Sequence, residues 1–406
     1  MNAIEKIIKS NLCTGCGLCE GAKKNASVVM GLNQDGFSRP INLESLSRID
    51  AEELAESCPG IQADYLMDIR KSAGDKGLCY DNMWGQYAEM FSGYSLDNDV
   101  RYLGSSGGVL TEISRYLLRK SLVDAVVMST ISKSDPLGVE VLLATTEREV
   151  VLAAGSKYCI SPTLTIVDQI RKHAGTVAFV GKPCEVASLK LLAKKDSLID
   201  SKVKYYFSFF CAGVPSRFAT TALLKKMGVA HDSISDFWYR GRGWPGSTTA
   251  TTFAKDTHEI PYSEAWGKVL SKDLQFRCKI CADGVGELAD VVVGDAWECD
   301  ERGYPLFTEK PGESIVIART SSGSELISLM HLDKAVNLSM LDPRSIDSMQ
   351  PGQVRRRKAL LARVLALKVF IRQTPKYPLS ILFQYSKKVG VGGFLTGFFG
   401  MVRRLL

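Results

Sequence analysis

The sequence predicts an α+β protein built from three consecutive parts, and three observations support this division. A cysteine-rich segment of about 75 residues comes first. Short apolar runs that alternate with helical patterns then fill residues 80–345, which is typical of a mixed α/β domain. From Pro351 to Leu406, twelve Lys and Arg residues occur without any Asp or Glu, which predicts a basic helical tail.

Length and composition exclude several classes of protein. The chain has 406 residues, of which 45% are hydrophobic, with 51 Lys plus Arg, 44 Asp plus Glu and 11 Cys. Disordered, collagen-like and small disulfide-stapled proteins do not have this composition. The rest of the chain, outside this tail, contains 39 basic and 44 acidic residues. The body is therefore acidic, and any argument about an anionic partner concerns the tail alone.

Local patterns predict the elements within these parts. Leu46–Glu56 is predicted as a helix, and Lys71–Gly77 as a linker between residues 1–75 and residues 80–345. Residues 351–406 form the tail. Runs of apolar, β-branched and aromatic residues predict strands in the second part. These strands are Val123–Ser129, Val139–Ala144, Val177–Val180, Tyr205–Phe210, Thr248–Phe253 and Ile315–Ala318.

The amino terminus lacks the pattern of a secretory signal, because Met1–Cys13 contains no apolar run ahead of a small-residue cleavage site. The sequence also lacks an uninterrupted apolar stretch of about 18 residues, the length of a spanning helix. We therefore expect a cytoplasmic protein. In that reducing compartment, cysteines bind metal more often than they form disulfides.

A first group of cysteines has the spacing of an iron-sulfur site. Cys13, Cys16 and Cys19 stand at two-residue intervals, and the distant Cys58 is followed by proline. Bacterial ferredoxins hold a [4Fe-4S] cluster with such a three-cysteine run and a Cys-Pro partner. A structural zinc site is the alternative, although zinc usually takes two Cys-x2-Cys pairs or His ligands. We expect one [4Fe-4S] cluster here and a ferredoxin-like module over residues 1–75.

A second group of cysteines is more dispersed. Cys278 and Cys281 form a lone pair, whereas Cys184 and Cys211 each follow an apolar, strand-like run. Strands of one sheet can bring such loops to a common edge, where four thiolates would complete a site. Spacing alone leaves open a second metal site or buried thiols near a zinc-binding pair. Three further cysteines lack a spacing partner and are expected to be ordinary thiols: Cys79, Cys159 and Cys299.

Several sequence blocks occur in the order found in one known family. They are Cys13–Cys19, Gly104–Gly108, Gly155–Tyr158, Gly181–Glu185, Cys211–Gly213, and Cys278–Cys281 followed by Ala289-Asp290 and Gly294-Asp295. In this respect residues 1–345 resemble the coenzyme F420 hydrogenase and dehydrogenase beta-subunit family, whose members are iron-sulfur flavoproteins. The chain departs from the family's Gly-Asp-aromatic-Trp block at Ala296.

The resemblance implies cofactors and the residues that hold them. It implies FAD, electron exchange with an organic acceptor such as F420, and a second [4Fe-4S] cluster on Cys184, Cys211, Cys278 and Cys281. The FAD is expected within residues 80–345, between the clusters and the substrate. The residues expected at the flavin are Gly104, Ser105, Ser106, Gly107, Gly108, Ser156, Lys157 and Tyr158.

The glycine loop Gly104–Gly108 precedes helical spacing of apolar residues in Val109–Lys120. Small residues before a helix amino terminus suit a pyrophosphate. The loop lacks the Gly-x-Gly-x-x-Gly spacing, so a plain capping turn is the alternative. Lys157 is a candidate catalytic residue, because a cation stabilises the charge that develops on a reduced flavin. Its alternative is a solvated surface lysine.

The loop Tyr239–Gly246 carries Arg240, Arg242 and Trp244. The two arginines are catalytic candidates that would grip a phosphate or carboxylate, while the indole stacks on a planar ring. An ordinary turn is the alternative. The four histidines stand apart from one another and from the cysteine blocks, so no His-based hydrolytic triad is expected.

The basic tail has the pattern of a membrane-surface helix. Basic and apolar residues alternate through Arg355–Arg372, and Gly390–Leu406 adds phenylalanines beside Arg403 and Arg404. This composition suits an anionic membrane surface, which predicts a peripheral location on the inner face of the membrane. Docking onto the acidic body or a partner protein is the alternative. Nucleic acid is not expected as a partner, because no recognised nucleic-acid module accompanies the charge.

Together these observations predict an iron-sulfur flavoprotein oxidoreductase. Electrons would pass from a ferredoxin-like donor through two [4Fe-4S] clusters and FAD to a small-molecule or glycan-linked substrate, in polysaccharide biosynthesis. The alternative is an electron-transfer subunit of a hydrogenase or dehydrogenase complex that uses F420 or a similar carrier. A zinc-stabilised binding protein ranks third. The sequence leaves self-association into a homo-oligomer open.

Overall fold

The computed structural model describes residues 1–22, 27–75, 78–301, 305–370 and 372–405. Its strands are β1 (Val29–Leu32), β2 (Ser38–Ile41), β3 (Cys79–Asp81), β4 (Gly85–Tyr87), β5 (Glu89–Ser95), β6 (Ala125–Ile131), β7 (Val139–Ala144), β8 (Val177–Val180), β9 (Val203–Phe209), β10 (Ile234–Trp238), β11 (Ser247–Thr252), β12 (Thr257–Pro261), β13 (Val291–Asp295), β14 (Ser314–Ala318) and β15 (Val336–Met340).

One large mixed sheet organises the molecule, and its eight strands have the order β15-β5-β14-β13-β9-β8-β6-β7. The central strands β13, β9, β8 and β6 run parallel, and antiparallel strands flank them on both sides. All four residues of β8 are buried, as are the first four of β13. Such apolar strands form the centre of a sheet that is covered on both faces. This arrangement agrees with the predicted α+β class.

The helices surround this sheet and continue into the tail. They are α1 (Ala3–Lys9), α2 (Leu18–Gly21), α3 (Arg48–Glu56), α4 (Tyr65–Asp75), α5 (Asn98–Leu103), α6 (Val109–Arg119), α7 (Glu147–Leu152), α8 (Val167–Lys172), α9 (Pro183–Ala193), α10 (Ser197–Lys202), α11 (Arg217–Met227), α12 (Tyr262–Glu264), α13 (Phe276–Lys279), α14 (Ser321–Leu332), α15 (Ile346–Met349), α16 (Pro351–Lys358), α17 (Leu360–Val369), α18 (Leu379–Ser386) and α19 (Val391–Val402).

The sheet separates two hydrophobic cores, because alternate side chains of each strand point to opposite faces. On one face, Val126 and Ala178 pack with α6 and α14. On the other face, Val127 and Phe179 pack with α9, with α1 and α3 of the amino-terminal segment, and with α17 and α18 of the tail. The amino-terminal segment, the sheet and the tail therefore share one core.

Most predicted elements lie close to their predicted positions. The strands β7 and β8 have the predicted bounds. The strands β6, β9 and β11 differ by one or two residues at both ends, and β14 differs by one residue at its start. The predicted linker Lys71–Gly77 is wrong, because α4 continues to Asp75. Buried Tyr65, Leu66 and Ile69 give this helix an apolar face toward the core. The last two residues of that linker lie outside the described residues.

The tail does not form the single amphipathic helix predicted for Arg355–Arg372. One helix, α16, ends at Lys358, and α17 begins at Leu360. The apolar side chains Leu360, Leu361 and Leu367 are buried in the common core, so the protein itself covers this face of α17. Position 371 of the predicted helix falls outside the described residues. In the part of the chain that the structure describes, no helix is long and apolar enough to cross a bilayer.

Replacing Leu367 by Ala tests whether the tail is part of the core. Leu367 is fully buried, so its loss should lower the free energy of unfolding by about 2–5 kcal/mol. Leu365 lies on the same helix and is 37% exposed, and its replacement by Ala should cost much less. Urea denaturation followed by circular dichroism measures both values. Equal effects of the two substitutions would contradict the docked arrangement.

Candidate functional site

The first cysteine group lies on a tight loop, Cys13–Cys19. Gly15 and Gly17 have φ angles of +67° and +92°, a region that favours glycine. A Cβ on Gly15 would also lie 2.7 Å from the backbone oxygen of Ser38, so no side chain fits there. The Gly15 amide donates to Cys13 Sγ at 3.4 Å. The glycines therefore allow a backbone amide to approach a sulfur, as the sequence led us to expect.

Cys58 follows α3 and lies beside this loop. Its thiol is close enough to interact electrostatically with Cys13, Cys16 and Cys19. Burial raises the pKa of all four thiols, and for Cys16 the pKa rises to about 11. For Cys19 and Cys58, the charge on neighbouring thiols raises the pKa further. A metal ligand must be a thiolate, so metal binding here would displace protons. The structure thus brings the four residues predicted from spacing together.

The second cysteine group lines one cavity, which Cys184, Cys211, Cys278 and Cys281 all border. Cys184 lies in the first turn of α9, which follows β8, and Cys211 follows β9. These two strands are parallel neighbours, so their carboxyl ends meet at one edge of the sheet. The helix α13 and the turn after it bring the Cys-x2-Cys pair to the same cavity.

The arrangement of these thiols differs from that of a single-ion site. Among the described residues, no three His, Cys, Asp or Glu side chains are grouped so that they could hold one metal ion. The four ligands of a structural zinc ion converge on one point. The ligands of a [4Fe-4S] cluster each bind a different iron, so they surround a volume instead. The four thiols of the second group are partly buried and border one cavity.

Arg277 ties the two cysteine groups together. Its buried guanidinium donates to the backbone oxygens of Pro59 (3.0 Å), Gly60 (3.1 Å) and Ile280 (3.4 Å). Among the described residues, no carboxylate lies within 4.0 Å of its nitrogens. A buried cation without a counter-charge is costly. Arg277 lines the cavity of the second cysteine group, together with Lys182, Arg356 and Asp283.

Gln275 provides a second link between the groups. Its Nε2 lies 3.1 Å from the backbone oxygen of Thr14, which stands between Cys13 and Cys16, and 3.4 Å from Cys278 Sγ. Its Oε1 accepts from Arg39 at 3.3 Å. The two cysteine groups are therefore neighbours, although more than 250 residues separate Thr14 from Gln275 in the chain.

A larger cavity of about 290 Å³ lies next to the second group. It is bordered by most of the residues predicted at the flavin: Gly104, Ser105, Ser106, Gly108, Ser156, Lys157 and Tyr158. Gly107 lies behind this wall, where its amide donates to Ser314 Oγ at 2.9 Å. Cys211 and Lys182 border both cavities. The large cavity is therefore adjacent to the cavity of the second cysteine group.

Lys157 lies in the wall of the large cavity. Its ammonium donates to the backbone oxygens of Ala153, Ala154 and Gly155 at the end of α7. Burial lowers the pKa of Lys157 to about 8. The lysine is therefore not a solvated surface residue. It stabilises the carboxyl end of a helix and places positive charge at the cavity.

Arg240 also borders the large cavity, but its guanidinium is already engaged. Its Nη1 and Nη2 donate to the two carboxylate oxygens of Asp295 at 3.0 and 2.7 Å, and its Nε donates to the Pro245 oxygen. The group lies 4.2 Å from the ring centroid of Tyr262 and 5.0 Å from that of Trp297. Asp295 thus neutralises the cation that was predicted to grip an anion. The pair fixes an aromatic wall of the cavity.

The other two candidates of this loop lie away from the cavity surface. Arg242 stacks over the Trp238 ring at 4.2 Å and pairs with Asp236 at 3.5 Å. Trp244 is buried, donates from Nε1 to Asp295 and stacks on Trp297, with 4.7 Å between ring centroids. Neither borders the large cavity. The loop therefore contributes to this cavity through Arg240.

Several residues of the site were not predicted from the sequence. Asp295 and Trp297 lie in the block that departs from the family pattern at Ala296, and the sequence assigns no role to either residue. Tyr262 and Trp266 complete the aromatic wall without any motif around them. Three cysteines were expected to be ordinary: Cys79 is exposed, Cys159 is buried at the large cavity, and Cys299 donates to Ser348.

Two family models match parts of this chain. Both describe the beta subunit of coenzyme F420 hydrogenase/dehydrogenase. The model for its amino-terminal part matches residues 90–168, and the model for its carboxyl-terminal part matches residues 174–344. Together the two matches span more than half of the chain. The first cysteine group and the tail lie outside the matched ranges.

Curated relatives extend this similarity. The coenzyme F420 hydrogenase subunit beta of Methanothermobacter thermautotrophicus is 26% identical over 66% of this chain and 88% of its own length. The coenzyme F420-dependent sulfite reductase of Methanocaldococcus jannaschii is 24% identical over 84% of this chain and 49% of its own. The chloroplastic 7-hydroxymethyl chlorophyll a reductase of Oryza sativa is 26% identical over 78% and 61%.

A solved structure shares the fold. A chain of the F420-reducing [NiFe] hydrogenase complex from Methanosarcina barkeri superposes with a TM-score of 0.52 and 20% sequence identity. The match covers 69% of this chain and 95% of that chain. At this level of identity, the comparison supports a common fold for the matched region.

Replacing Asp295 by Asn tests the ion pair in the aromatic wall. The substitution leaves the Arg240 guanidinium buried without a counter-charge, which should lower the free energy of unfolding by about 3–5 kcal/mol. Asp236→Asn breaks the more exposed pair with Arg242 and should cost less than about 1 kcal/mol. Chemical denaturation of both variants measures the difference. Similar losses would show that the Asp295 pair is not a buried contact of this kind.

Proposed function

Because the chain belongs to the coenzyme F420 hydrogenase/dehydrogenase beta-subunit family, we propose that it is an iron-sulfur flavoprotein that transfers electrons as an oxidoreductase subunit. The relatives are named as hydrogenase and reductase proteins, which supports redox chemistry. The observation that carries the proposal is the contact between two groups of four cysteines and a large cavity bordered by the glycine loop.

In this proposal each cofactor has a defined set of residues. Cys13, Cys16, Cys19 and Cys58 would hold one [4Fe-4S] cluster, and Cys184, Cys211, Cys278 and Cys281 would hold another. FAD would bind in the large cavity, where the serines and glycines of Gly104–Gly108 and the cation of Lys157 suit a pyrophosphate. Clusters supply single-electron transfer, and FAD supplies conversion to two-electron chemistry.

The order of contacts supports one electron route. Gln275 joins the loop of the first group to Cys278, and Cys211 borders the flavin cavity. The route would therefore run between the first group, the second group and the large cavity. Residues 1–75 would form the ferredoxin-like cluster domain, residues 80–345 would hold FAD and the second cluster, and residues 351–406 would form the basic tail.

The comparisons favour the subunit role over the stand-alone reductase that was predicted first. This chain covers 88% of the length of a hydrogenase beta subunit, and the solved neighbour is a chain of a hydrogenase complex. The names of these relatives do not refer to polysaccharide biosynthesis or to a glycan-linked substrate. We therefore propose a ferredoxin-like donor or a catalytic subunit on one side and F420 or a similar organic carrier on the other.

The route predicts a specific effect of Cys16→Ala. This variant should lose reduction of the bound flavin by reduced ferredoxin, because the first cysteine group would no longer hold a complete cluster. Photoreduction of the same flavin should be retained, because light bypasses that group. Anaerobic stopped-flow absorbance near the flavin band measures the first rate, and steady illumination measures the second.

The matched control for this experiment is Cys79→Ala, which removes an exposed thiol outside both groups. Its ferredoxin-driven rate should equal that of the wild type. An unchanged rate in Cys16→Ala would contradict the route. Reduced F420 supplied instead of ferredoxin should reduce the flavin directly in the wild type and in Cys16→Ala, if the carrier enters at the large cavity.

The end of the tail retains features of a membrane-surface segment. The apolar side chains of Phe383, Val391 and Phe399 are exposed on α18 and α19, close in sequence to exposed Lys387 and Arg403. Exposed aromatic and basic side chains together suit the interface of an anionic bilayer. We propose that α18 and α19, rather than all of residues 351–406, contact such a surface.

Vesicle binding tests this contact. The wild-type protein should sediment with vesicles that contain phosphatidylserine, and Phe399→Ser should reduce the bound fraction because it removes exposed apolar area. Phe253→Ser is the control, because the Phe253 side chain is also exposed, at 70%, but lies outside the tail. Equal sedimentation of the two variants, or none by the wild type, would exclude the proposed surface.

A further inference from the structure

The helix α16 of the tail contacts the loop that carries Cys211. Arg356 donates from Nη1 to the backbone oxygen of Cys211 at 2.9 Å and from Nη2 to that of Ala212. Gln353 Nε2 donates to the same Cys211 oxygen at 3.1 Å. The guanidinium of Arg356 also borders the cavity of the second cysteine group. A tail residue therefore forms part of this cavity wall.

Gly284 leaves space for the contact between α16 and the loop that carries Cys211. A Cβ on Gly284 would lie 2.5 Å from Gln353 Oε1, 3.1 Å from the Cys211 oxygen and 3.2 Å from Arg356 Nη1. The backbone of Gly284 also accepts from the amide of Cys211 at 2.8 Å. A residue without a side chain thus lets α16 approach the Cys211 loop closely.

Other tail residues contact the Cys278–Cys281 segment of the same cavity. Arg363 of α17 donates to the backbone oxygen of Lys279 at 2.7 Å, and the Tyr377 hydroxyl donates to that of Ile280. Both oxygens lie between Cys278 and Cys281. The tail therefore fastens the loops of three of the four cysteines in the second group. It begins beyond residue 344, where the match to the family models ends.

We propose that Arg356 is a positioning residue of the second cysteine group and that its charge raises the reduction potential of the cluster held there. This inference rests on the proposed function. Reduction adds a negative charge to the cluster, and a nearby cation stabilises the reduced form more than the oxidised form.

The test compares three variants of the complete chain, purified without oxygen. Arg356→Gln removes the charge but keeps a side chain that can donate, and Arg356→Lys keeps the charge. Arg355→Gln removes the same charge from a neighbouring, exposed position of α16. Iron per chain is measured first, and redox titration followed by electron paramagnetic resonance then gives the midpoint potential of each cluster.

We expect Arg356→Gln to shift the potential of one cluster to a more negative value while the other cluster is unchanged. Arg356→Lys should restore most of the shift, and Arg355→Gln should resemble the wild type. Selective loss of half the iron from Arg356→Gln, with the iron content of Arg355→Gln unchanged, would also support a positioning role.

Two results would overturn the inference, and they differ in meaning. If Arg356→Gln keeps all its iron and both wild-type potentials, the inference fails while the proposed function stands. If the wild-type protein carries only one cluster, and Cys278→Ala does not reduce its iron, the second cysteine group holds no cluster. In that case the proposed function fails at this site, and the inference fails with it.

Discussion

The buried guanidinium of Arg277 is the contact on which the arrangement of the site depends. It joins the segment after Cys58 to the turn between Cys278 and Cys281 through three backbone oxygens. These oxygens satisfy its donors but supply no negative charge. A cation held in this way favours thiolates over thiols around it. The same contact thus connects the two cysteine groups, and its charge opposes the rise in pKa that burial causes at the Cys281 thiol.

The common core explains how such distant segments remain in place. The amino-terminal helices, α9 and the tail pack on one face of the large sheet, so the two cysteine groups and the turn of α13 are held by one continuous hydrophobic surface. The parallel strands β8 and β9 then bring Cys184 and Cys211 to the edge where the large cavity begins.

Sequence patterns could predict local features, and among distant contacts they predicted those that the cysteines themselves mark. The spacing of Cys13–Cys19 and the apolar run of β8 each carry their signal within a few residues. The contact between Arg277 and Gly60 joins residues 217 positions apart, and nothing near either residue indicates the other.

The strand β13 was missed because Gly294-Asp295 follows only three valines. The charge of Arg240 was identified, but its partner Asp295 was not. The tail shows the same limit, because the pattern of an amphipathic helix does not say which apolar surface it covers.

The most direct test of the two-cluster flavoprotein is to quantify iron, acid-labile sulfide, zinc and released flavin in protein purified without oxygen. Two [4Fe-4S] clusters and one flavin site predict about eight irons and one FAD per chain. Zinc in the absence of iron and flavin would contradict this assignment.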